Sequence, residues 1–332
     1  MKAIVQREYG SPDVLKLEDI DKPVVKDDEV LVRVSASSVN PADWHFVRGE
    51  PRIARLSFGL RKPKDVVPGC DVAGRVEEVG RGVTAVRAGD EVFGSPFGHG
   101  LGALADLCLF ASEDLLHSKP ANLSFEQSAT VPLAGMTALQ GLRDQGRIEA
   151  GQRVIIIGAS GGVGSFAVQI AKTFGADVTG VCSTRNVDMV RAIGADHVID
   201  YTREDFTDGA GPYDLIFQLA GTRAPSECRS ALTPKGTLVM SSGESDGRWL
   251  GPIGRVAKGL LLSPFVSQRI VTFTVKPNRE DLRFLKELIE AGRLTPVIDR
   301  TYGRSEVPDA IRYLEEGHAR GKVVITIGST PR

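Results

Sequence analysis

The sequence predicts an α/β protein in which a doubly wound parallel sheet is combined with a β-rich domain. Residues 153–173 contain an apolar strand, a glycine cluster and a helical pattern, and strands and helices alternate after them. From Met1 to about Lys119 the chain instead holds short β-rich segments separated by Gly, Pro and Asp. With 332 residues, 42% hydrophobic and 25% charged, the chain is large enough for two globular domains.

The central strand is predicted at residues 154–157, which are β-branched without alternation, as in a strand buried on both faces. In the turn after it, Gly161 lets the backbone approach a pyrophosphate and Gly164 lets the helix pack closely on the strand. The pattern is A-x-G-x-x-G, because Ala159 stands where such fingerprints usually begin with Gly. The predicted dinucleotide-binding residues of this turn are Ala159, Ser160, Gly161, Gly162, Val163 and Gly164.

The end of the second strand, predicted at residues 177–181, indicates which dinucleotide is bound. An NAD enzyme usually places Asp or Glu here, about 20 residues beyond the glycines, to bind the ribose 2′-hydroxyl. Residues 182–186 contain no carboxylate and instead offer Ser183, Thr184 and Arg185 to a 2′-phosphate. This favours NADP(H). A second interpretation is that Ser183 and Thr184 cap the next helix, predicted at residues 187–193, and both interpretations can hold together.

Further strands of the parallel sheet are predicted at residues 197–199, 215–217 and 238–240. Because such sheets bind ligands at the carboxyl ends of their strands, the loops that follow should border the cofactor. The residues of these loops are Leu219, Ala220, Gly221, Ser241, Ser242 and Gly243.

The composition limits the classes of binding partner and the cellular compartment that we expect. A net charge of −1 provides no global field for nucleic acid or an anionic membrane, so nucleic acid is not expected as a partner. The four cysteines lack C-x-x-C spacing, which argues against disulfides and structural zinc. The N-terminal MKAIVQREYG predicts a strand rather than a signal peptide, so we expect a cytoplasmic protein. No stretch reaches the roughly 20 apolar residues of a membrane span.

The β-rich part contains two candidate functional stretches. Residues 39–48, VNPADWHFVR, bring Asn40, Asp43 and His45 together in sequence, and a basic loop follows at residues 52–64. Asp43 is expected to orient a neighbour or to cap a helix. Strands are predicted at residues 3–5, 29–35, 72–79, 91–93 and 105–110.

Several motifs, in the right order along nearly the whole chain, resemble the medium-chain dehydrogenase/reductase superfamily, specifically its zinc-independent quinone oxidoreductase branch. The resemblance implies a GroES-like catalytic domain formed by residues 1–121 and 279–332. It also implies a Rossmann NADP(H)-binding domain formed by residues 122–278, with cofactor and substrate in the cleft between the domains. The motifs are GCDVAGRV at 69–76, GDEVFG at 89–94, PLAGMTA at 132–138, the ASGGVG turn, GADHVIDY at 194–201 and GKVV at 321–324.

The resemblance also bears on the metal. The zinc-dependent relatives use a Cys, a His followed by Glu, and a further Cys or Asp. Here the first position falls near Asn40 to Asp43, and Cys70-Asp71 replaces the His-Glu pair. We therefore predict no metal. Without zinc, reduction of a conjugated carbonyl is easier than oxidation of an alcohol, because the developing oxyanion needs only hydrogen-bond donors.

The resemblance assigns roles to single residues. Asn40 would line the substrate site and donate its amide N–H₂ to the carbonyl oxygen. His45 stands where the branch has a Tyr and, because it titrates near neutral pH, could donate a hydrogen bond or a proton. Thr137 would lie near the nicotinamide, Tyr201 near the adenosine end and Phe273 near the carboxamide. The strand predicted at residues 270–275 would pair with its mate in a homodimer.

The predicted activity is hydride transfer from NADPH to a quinone or an α,β-unsaturated carbonyl, with water or His45 supplying the proton. One alternative is an enoyl-thioester reductase, whose phosphorylated carrier the basic loop would steer. Another is an NADPH-binding protein with little turnover that binds RNA or a protein partner. The apolar residues 254–267 are expected to roof the substrate cleft or to lie on a membrane. Amphipathic helices are predicted at 280–291 and 307–316.

Overall fold

The computed structural model describes residues 1–208, 211–221, 223–241 and 267–328. The chain divides into two compact units, one formed by Met1–Met136 with Lys276–Arg332 and the other by Thr137–Val275. The boundary between the two units falls after Met136, whereas the sequence predicted it after residue 121, because residues 122–136 pack within the β-rich unit. The division into a catalytic and a cofactor domain stays a prediction.

Strands and helices are numbered here in chain order. The strands are β1 Lys2–Val5, β2 Lys16–Asp19, β3 Val30–Val39, β4 Asp71–Val79, β5 Glu91–Gly94, β6 Leu107–Phe110, β7 Leu116–Ser118, β8 Arg153–Ile157, β9 Asp177–Cys182, β10 His197–Asp200, β11 Tyr213–Gln218, β12 Leu232–Met240, β13 Arg269–Thr272, β14 Ile298–Gly303 and β15 Lys322–Thr326. The helices are α1 Pro41–Arg48, α2 Arg55–Phe58, α3 Phe125–Ala129, α4 Pro132–Leu139, α5 Gly162–Thr173, α6 Val187–Ala192, α7 Pro225–Ser230, α8 Arg279–Glu290 and α9 Val307–Glu315.

The first unit is built on a mixed sheet with the strand order β14-β15-β3-β4-β5-β7, in which β6 also pairs with β3. Strand β3 is its centre because its ten residues are mostly buried. The register places Val323 of β15 opposite Val39, and Asp71 of β4 opposite Ser38. Three distant parts of the chain therefore meet at the carboxyl end of β3.

The second unit contains a six-stranded sheet in the order β10-β9-β8-β11-β12-β13, and every pairing in it is parallel. Counted within the unit, this is the order 3-2-1-4-5-6 of a doubly wound dinucleotide-binding sheet. Strand β8 lies at its centre, where Val154 and its three successors are buried on both faces. The predicted fold class is confirmed.

Single elements differ from the expectations for identifiable reasons. The strand predicted at residues 270–275 ends at Thr272. Strands β2 and β14 were not predicted because β2 is largely exposed, β14 is at most half-buried, and neither has an apolar alternation. After α4 the chain continues as a π-helical stretch over Gln140–Gly146, where Gly141 lies so close to Phe217 that a Cβ would approach its ring to 2.3 Å.

Residues 254–266, which were expected to roof the cleft or to lie on a membrane, are outside the described ranges, as are Ser242 and Gly243. Among the residues that are described, no helix has both the length and the apolar character needed to cross a membrane.

Candidate functional site

The turn after β8 contains a further glycine, Gly158, one position before the predicted A-x-G-x-x-G pattern begins at Ala159. Gly158 has φ +89°, a left-handed conformation that favours glycine, and its Cβ would lie 2.8 Å from the Cβ of Ala220. Ala159 is fully buried, and its N–H donates to the Val181 carbonyl at 3.0 Å. Gly158 therefore shapes the turn just before the predicted pattern, and Ala159, the first position of that pattern, is buried beneath the turn.

Gly161 and Gly164 lack side chains for different reasons. A Cβ on Gly164 would lie 2.0 Å from the carbonyl oxygen of Gly158, so helix–turn packing requires a glycine there. A Cβ on Gly161 would meet nothing closer than that same oxygen at 3.4 Å. The packing of the protein therefore leaves room for a side chain at position 161. A ligand bound close to the backbone would fill that room and would explain the glycine. The N–H groups of the first turn of α5, which begins at Gly162 and continues with Val163, have no intrahelical acceptor and suit a phosphate.

A polar cluster connects this turn to the end of β9. The side-chain amide of Asn186 donates to Ser160 Oγ at 3.0 Å and to Ser183 Oγ at 3.2 Å. Its Oδ1 is buried and has no hydrogen-bond partner. Sequence reasoning missed Asn186, although it directly follows the predicted phosphate-binding residues. A donor from a bound ligand would satisfy this oxygen, so the turn and its surroundings fit a dinucleotide.

A carboxylate lies close to the predicted 2′-phosphate residues, although none occurs in residues 182–186. The Thr184 hydroxyl donates to Asp200 Oδ2 at 2.5 Å, and the N–H and hydroxyl of Thr202 donate to Asp200 Oδ1. The hydrogen bond from Thr184 is the main cause that lowers the pKa of Asp200. Arg203 Nε lies 3.5 Å from the same carboxylate and balances its charge.

The other residues assigned to the cofactor lie at several places in the second unit. Leu219 and Ser241 directly follow β11 and β12 at the carboxyl edge of the sheet, where Leu219 N–H donates to the Ile157 carbonyl at 3.0 Å. Thr137 is buried in α4 and Phe273 is half-buried beyond β13. Two further residues, Arg185 and Tyr201, are exposed. Ser183 and Thr184 make no side-chain cap, so the capping interpretation has no hydrogen bond to support it.

In the first unit, the carboxyl end of β3 carries a buried hydrogen-bond network around Asn40, which is 4% exposed. Its Nδ2 donates to Asp71 Oδ2 at 2.8 Å, and a longer contact of 3.4 Å reaches the Ser38 carbonyl. Lys322 Nζ donates to Asn40 Oδ1 at 2.5 Å. The network therefore holds the Asn40 amide in one orientation.

Asp71 is the acceptor at the centre of this network. Its two oxygens accept from the Ser38 hydroxyl at 2.7 Å and from the Leu133 N–H at 2.8 Å, and Lys322 Nζ lies 3.4 Å away. Asp71 is 0% and Lys322 3% exposed. The lysine from the GKVV motif was not predicted as a site residue, since β15 brings it beside Asn40 only in the folded sheet.

Asp43 extends the network at the start of α1. Its Oδ2 accepts the Asn40 N–H at 2.7 Å, which caps the helix, and its Oδ1 accepts from the Cys70 thiol at 3.3 Å. Burial raises the pKa of Asp43 to about 6. Burial and the adjacent carboxylates raise the pKa of the Cys70 thiol well above its usual value. A buried thiol that keeps its proton is a poor ligand for a metal ion.

His45 makes separate contacts. Its ring stacks on Trp44 at 3.7 Å between centroids, and its Nδ1 lies 2.8 Å from the Glu50 carbonyl oxygen. Burial lowers the pKa of His45, which favours the neutral ring. A carbonyl oxygen only accepts, so Nδ1 carries the proton and Nε2 is an acceptor. In this state His45 binds a donor; it does not donate to an oxyanion.

The sheet and the glycine turn define a dinucleotide-binding domain of the Rossmann class, and comparisons with known proteins specify the family. The profile of the alcohol dehydrogenase GroES-like domain matches residues 26–121, and that of the zinc-binding dehydrogenases matches residues 193–325. The 2-methylene-furan-3-one reductase of Solanum lycopersicum is 35% identical over 98% of this chain and 79% of that protein. The chloroplastic NADPH-dependent alkenal/one oxidoreductase of Arabidopsis thaliana is 36% identical over the same shares.

The solved structures agree with this. A quinone oxidoreductase from Coxiella burnetii has a TM-score of 0.87 and 33% identity, and the match covers 99% of both chains. The chain belongs to the medium-chain dehydrogenase/reductase family, in its quinone-oxidoreductase-like branch.

Proposed function

We propose that this protein is an NADPH-dependent reductase of quinones and α,β-unsaturated carbonyls. The observation that carries the proposal is that relatives matching 98% of the chain are named for the reduction of conjugated carbonyls. The open turn at Gly161 supports it, because that turn gives the chain a place for the dinucleotide.

NADPH, when bound, supplies the hydride. The first-turn N–H groups of α5 bind its pyrophosphate, and Gly161 allows the close approach. Arg185, together with the hydroxyls of Ser160 and Ser183, binds the 2′-phosphate. Asn186 holds both serine hydroxyls, so it orients two of these groups at once. Arg203 compensates Asp200, which lessens the repulsion between that carboxylate and the phosphate.

At the substrate site, Asn40 supplies a hydrogen-bond donor to the carbonyl oxygen. One of its amide hydrogens binds Asp71, and the other makes only the long contact with the Ser38 carbonyl, so the second is the one offered to substrate. Because Lys322 fixes Oδ1, the amide does not flip as the oxyanion develops. Asp43 acts indirectly, by holding the backbone N–H of Asn40.

His45 binds water. Its neutral ring offers Nε2 as an acceptor, so it orients a water molecule whose other proton goes to the product, and the hydroxide that remains takes up a proton from bulk solvent. Water is therefore the proposed proton source, and His45 positions it.

The experiment is NADPH oxidation with 1,4-benzoquinone, 9,10-phenanthrenequinone, a simple enone and crotonyl-CoA, with NADH in parallel and EDTA present. Turnover of quinone or enone, preferred with NADPH and unaffected by EDTA, supports the proposal. Loss of activity in EDTA contradicts the prediction that no metal takes part. Tight NADPH binding without turnover of any acceptor contradicts the enzymatic proposal.

An enoyl-thioester reductase is the second candidate, favoured by the exposed cations Arg61, Lys62 and Lys64. These side chains would bind the phosphates of a thioester carrier. A kcat/KM for crotonyl-CoA well above that for the free enone, lost when the cations are neutralised, identifies this activity.

A homodimer is also proposed. Among the described residues β13 pairs only with β12, so one edge of the six-stranded sheet is open to a second copy. Light scattering after size-exclusion chromatography tests it, and a monomeric mass contradicts it. The cytoplasm is the proposed compartment, to be tested by fractionation, since relatives occur in chloroplasts and mitochondria.

A further inference from the structure

Residues 52–66, called here the 52–66 segment, expose most of the large apolar side chains found on the described surface. Seven such side chains are exposed, and four of them lie in this segment: Ile53, Leu56, Leu60 and Val66. Leu56 is 76% and Leu60 68% exposed. Clustered exposed apolar groups are uncommon on a surface that faces only water and mark interaction sites.

The same segment concentrates positive charge. It contains five basic residues and one acidic residue, although the whole chain has a net charge of −1. Within the described structure, no acidic side chain lies within ion-pair distance of Arg61, Lys62 or Lys64. Several exposed cations elsewhere do have an acidic partner, as Arg33 has Glu77 at 2.7 Å. The segment thus presents uncompensated charge beside its exposed leucines.

The segment is held in place from its inner side. Phe58 packs edge-on against Phe46, with 4.3 Å between ring centroids. Arg55 Nε donates to the Gly49 carbonyl at 2.8 Å, and the guanidinium lies over the Tyr9 ring. The Tyr9 hydroxyl donates to the Gly59 carbonyl at 2.6 Å. These contacts fix the backbone that carries Leu56 and Leu60. The two leucines are therefore exposed on an ordered surface.

We propose that the 52–66 segment docks on an anionic lipid surface, with Leu56 and Leu60 inserted between headgroups and the cations bound to phosphates. Projecting aliphatic side chains next to Lys and Arg are the chemistry of an interfacial membrane contact. An acidic protein would need a groove shaped to receive two highly exposed leucines, whereas a bilayer accommodates them without a matching shape. The proposal goes beyond the reductase activity, since it concerns binding alone.

The test is flotation of the full chain with vesicles of phosphatidylcholine, compared with vesicles that contain about 30 mol% phosphatidylglycerol. We expect binding to the anionic vesicles only, weakened as salt is raised from about 0.1 M to about 0.5 M. R61Q/K62Q should lower the partition coefficient about 30-fold, at roughly fivefold per charge. L56S/L60S should also lower it.

A matched control is L17S/V24S, which removes two exposed aliphatic side chains elsewhere in the same unit and should leave binding unchanged. No binding, equal binding to both vesicle types, or no effect of R61Q/K62Q overturns the proposal. Binding of crotonyl-CoA that R61Q/K62Q abolishes, without vesicle binding, assigns the cations to a phosphorylated substrate and also overturns it. Because flotation needs neither NADPH nor turnover, failure of the reductase proposal is seen separately.

Discussion

Lys322 Nζ lies 2.5 Å from Asn40 Oδ1, although 282 positions separate the two residues in sequence. The ammonium group also lies 3.4 Å from Asp71 Oδ2, and all three side chains are buried. A buried cation thus holds the amide proposed to face the substrate and balances the carboxylate beneath it.

Lys322→Met should lower the free energy of unfolding by about 3–5 kcal/mol, because it leaves the Asp71 charge buried without a counter-ion. Urea denaturation measures the loss. The control is Lys26→Met, whose side chain is 82% exposed, with an expected change below about 0.5 kcal/mol. In D71N/K322M both charges are absent, so part of the stability should return. A loss of less than about 1 kcal/mol in the single variant would show that the pair is energetically unimportant.

Asp43→Asn should change the pH dependence of stability. The pKa of Asp43 is raised from 3.8 to about 6 in the fold, so the folded chain binds this proton more tightly than the unfolded chain does. Its contribution is therefore fully present below about pH 4 and is lost by roughly 3 kcal/mol as the pH rises past 6. Relative to wild type, D43N should gain about that amount between pH 4 and pH 7.5. Urea denaturation at several pH values measures this, and a constant difference contradicts it.

Gly161→Ala and Gly164→Ala form a matched pair on the same turn. The methyl group added in G164A would overlap the Gly158 carbonyl, so this variant should lose about 2–3 kcal/mol of stability. The methyl in G161A has room within the protein, so its Tm should stay within about 2 °C of wild type while NADPH binding weakens at least about tenfold. Calorimetry and cofactor titration separate the two effects. Unchanged NADPH affinity in G161A would refute the proposed pyrophosphate contact.

Arg185→Gln should raise the Kd for NADPH about 10- to 100-fold and leave that for NADH unchanged, because only NADPH carries the 2′-phosphate. Fluorescence titration with both nucleotides gives the ratio. Arg203→Gln is the comparison variant. Arg203 is proposed to compensate the charge of Asp200 and not to bind the 2′-phosphate itself. Equal weakening of both nucleotides in R185Q would assign Arg185 to another part of the cofactor.

His45→Asn and His45→Gln test the roles of the two ring nitrogens separately. The Asn amide reproduces the Nδ1–H donor to Glu50, whereas the Gln side chain places its amide nearer the position of Nε2. We expect H45N to keep wild-type stability and lose about tenfold in kcat. Because burial lowers the pKa of His45, wild-type activity should be insensitive to this group above pH 7 and fall at lower pH as the ring protonates. An unchanged kcat in H45N would remove His45 from the mechanism.

The local patterns predicted the parallel sheet well. Continuous β-branched runs such as residues 154–157 are found in strands buried on both faces, and the helix following Gly161 has a strong apolar period. A role for Gly158 in this turn was not predicted, because only the backbone shows that this residue has a positive φ. Residues 182–186 contain no carboxylate, and the preference for NADP(H) was predicted on that ground. In the folded sheet, however, β10 brings the Asp200 carboxylate against Thr184.

The sequence by itself determined the fold class and indicated the dinucleotide turn, because these depend on residue periodicity and on glycines within short stretches. The family followed from several motifs in the right order along the chain. Tertiary structure alone decided which polar groups meet. Strand register sets Lys322 and Asp71 around Asn40, and burial raises the pKa of Asp43 while it lowers that of His45. Partner choice and desolvation depend on contacts between residues far apart in the chain, which no local pattern contains.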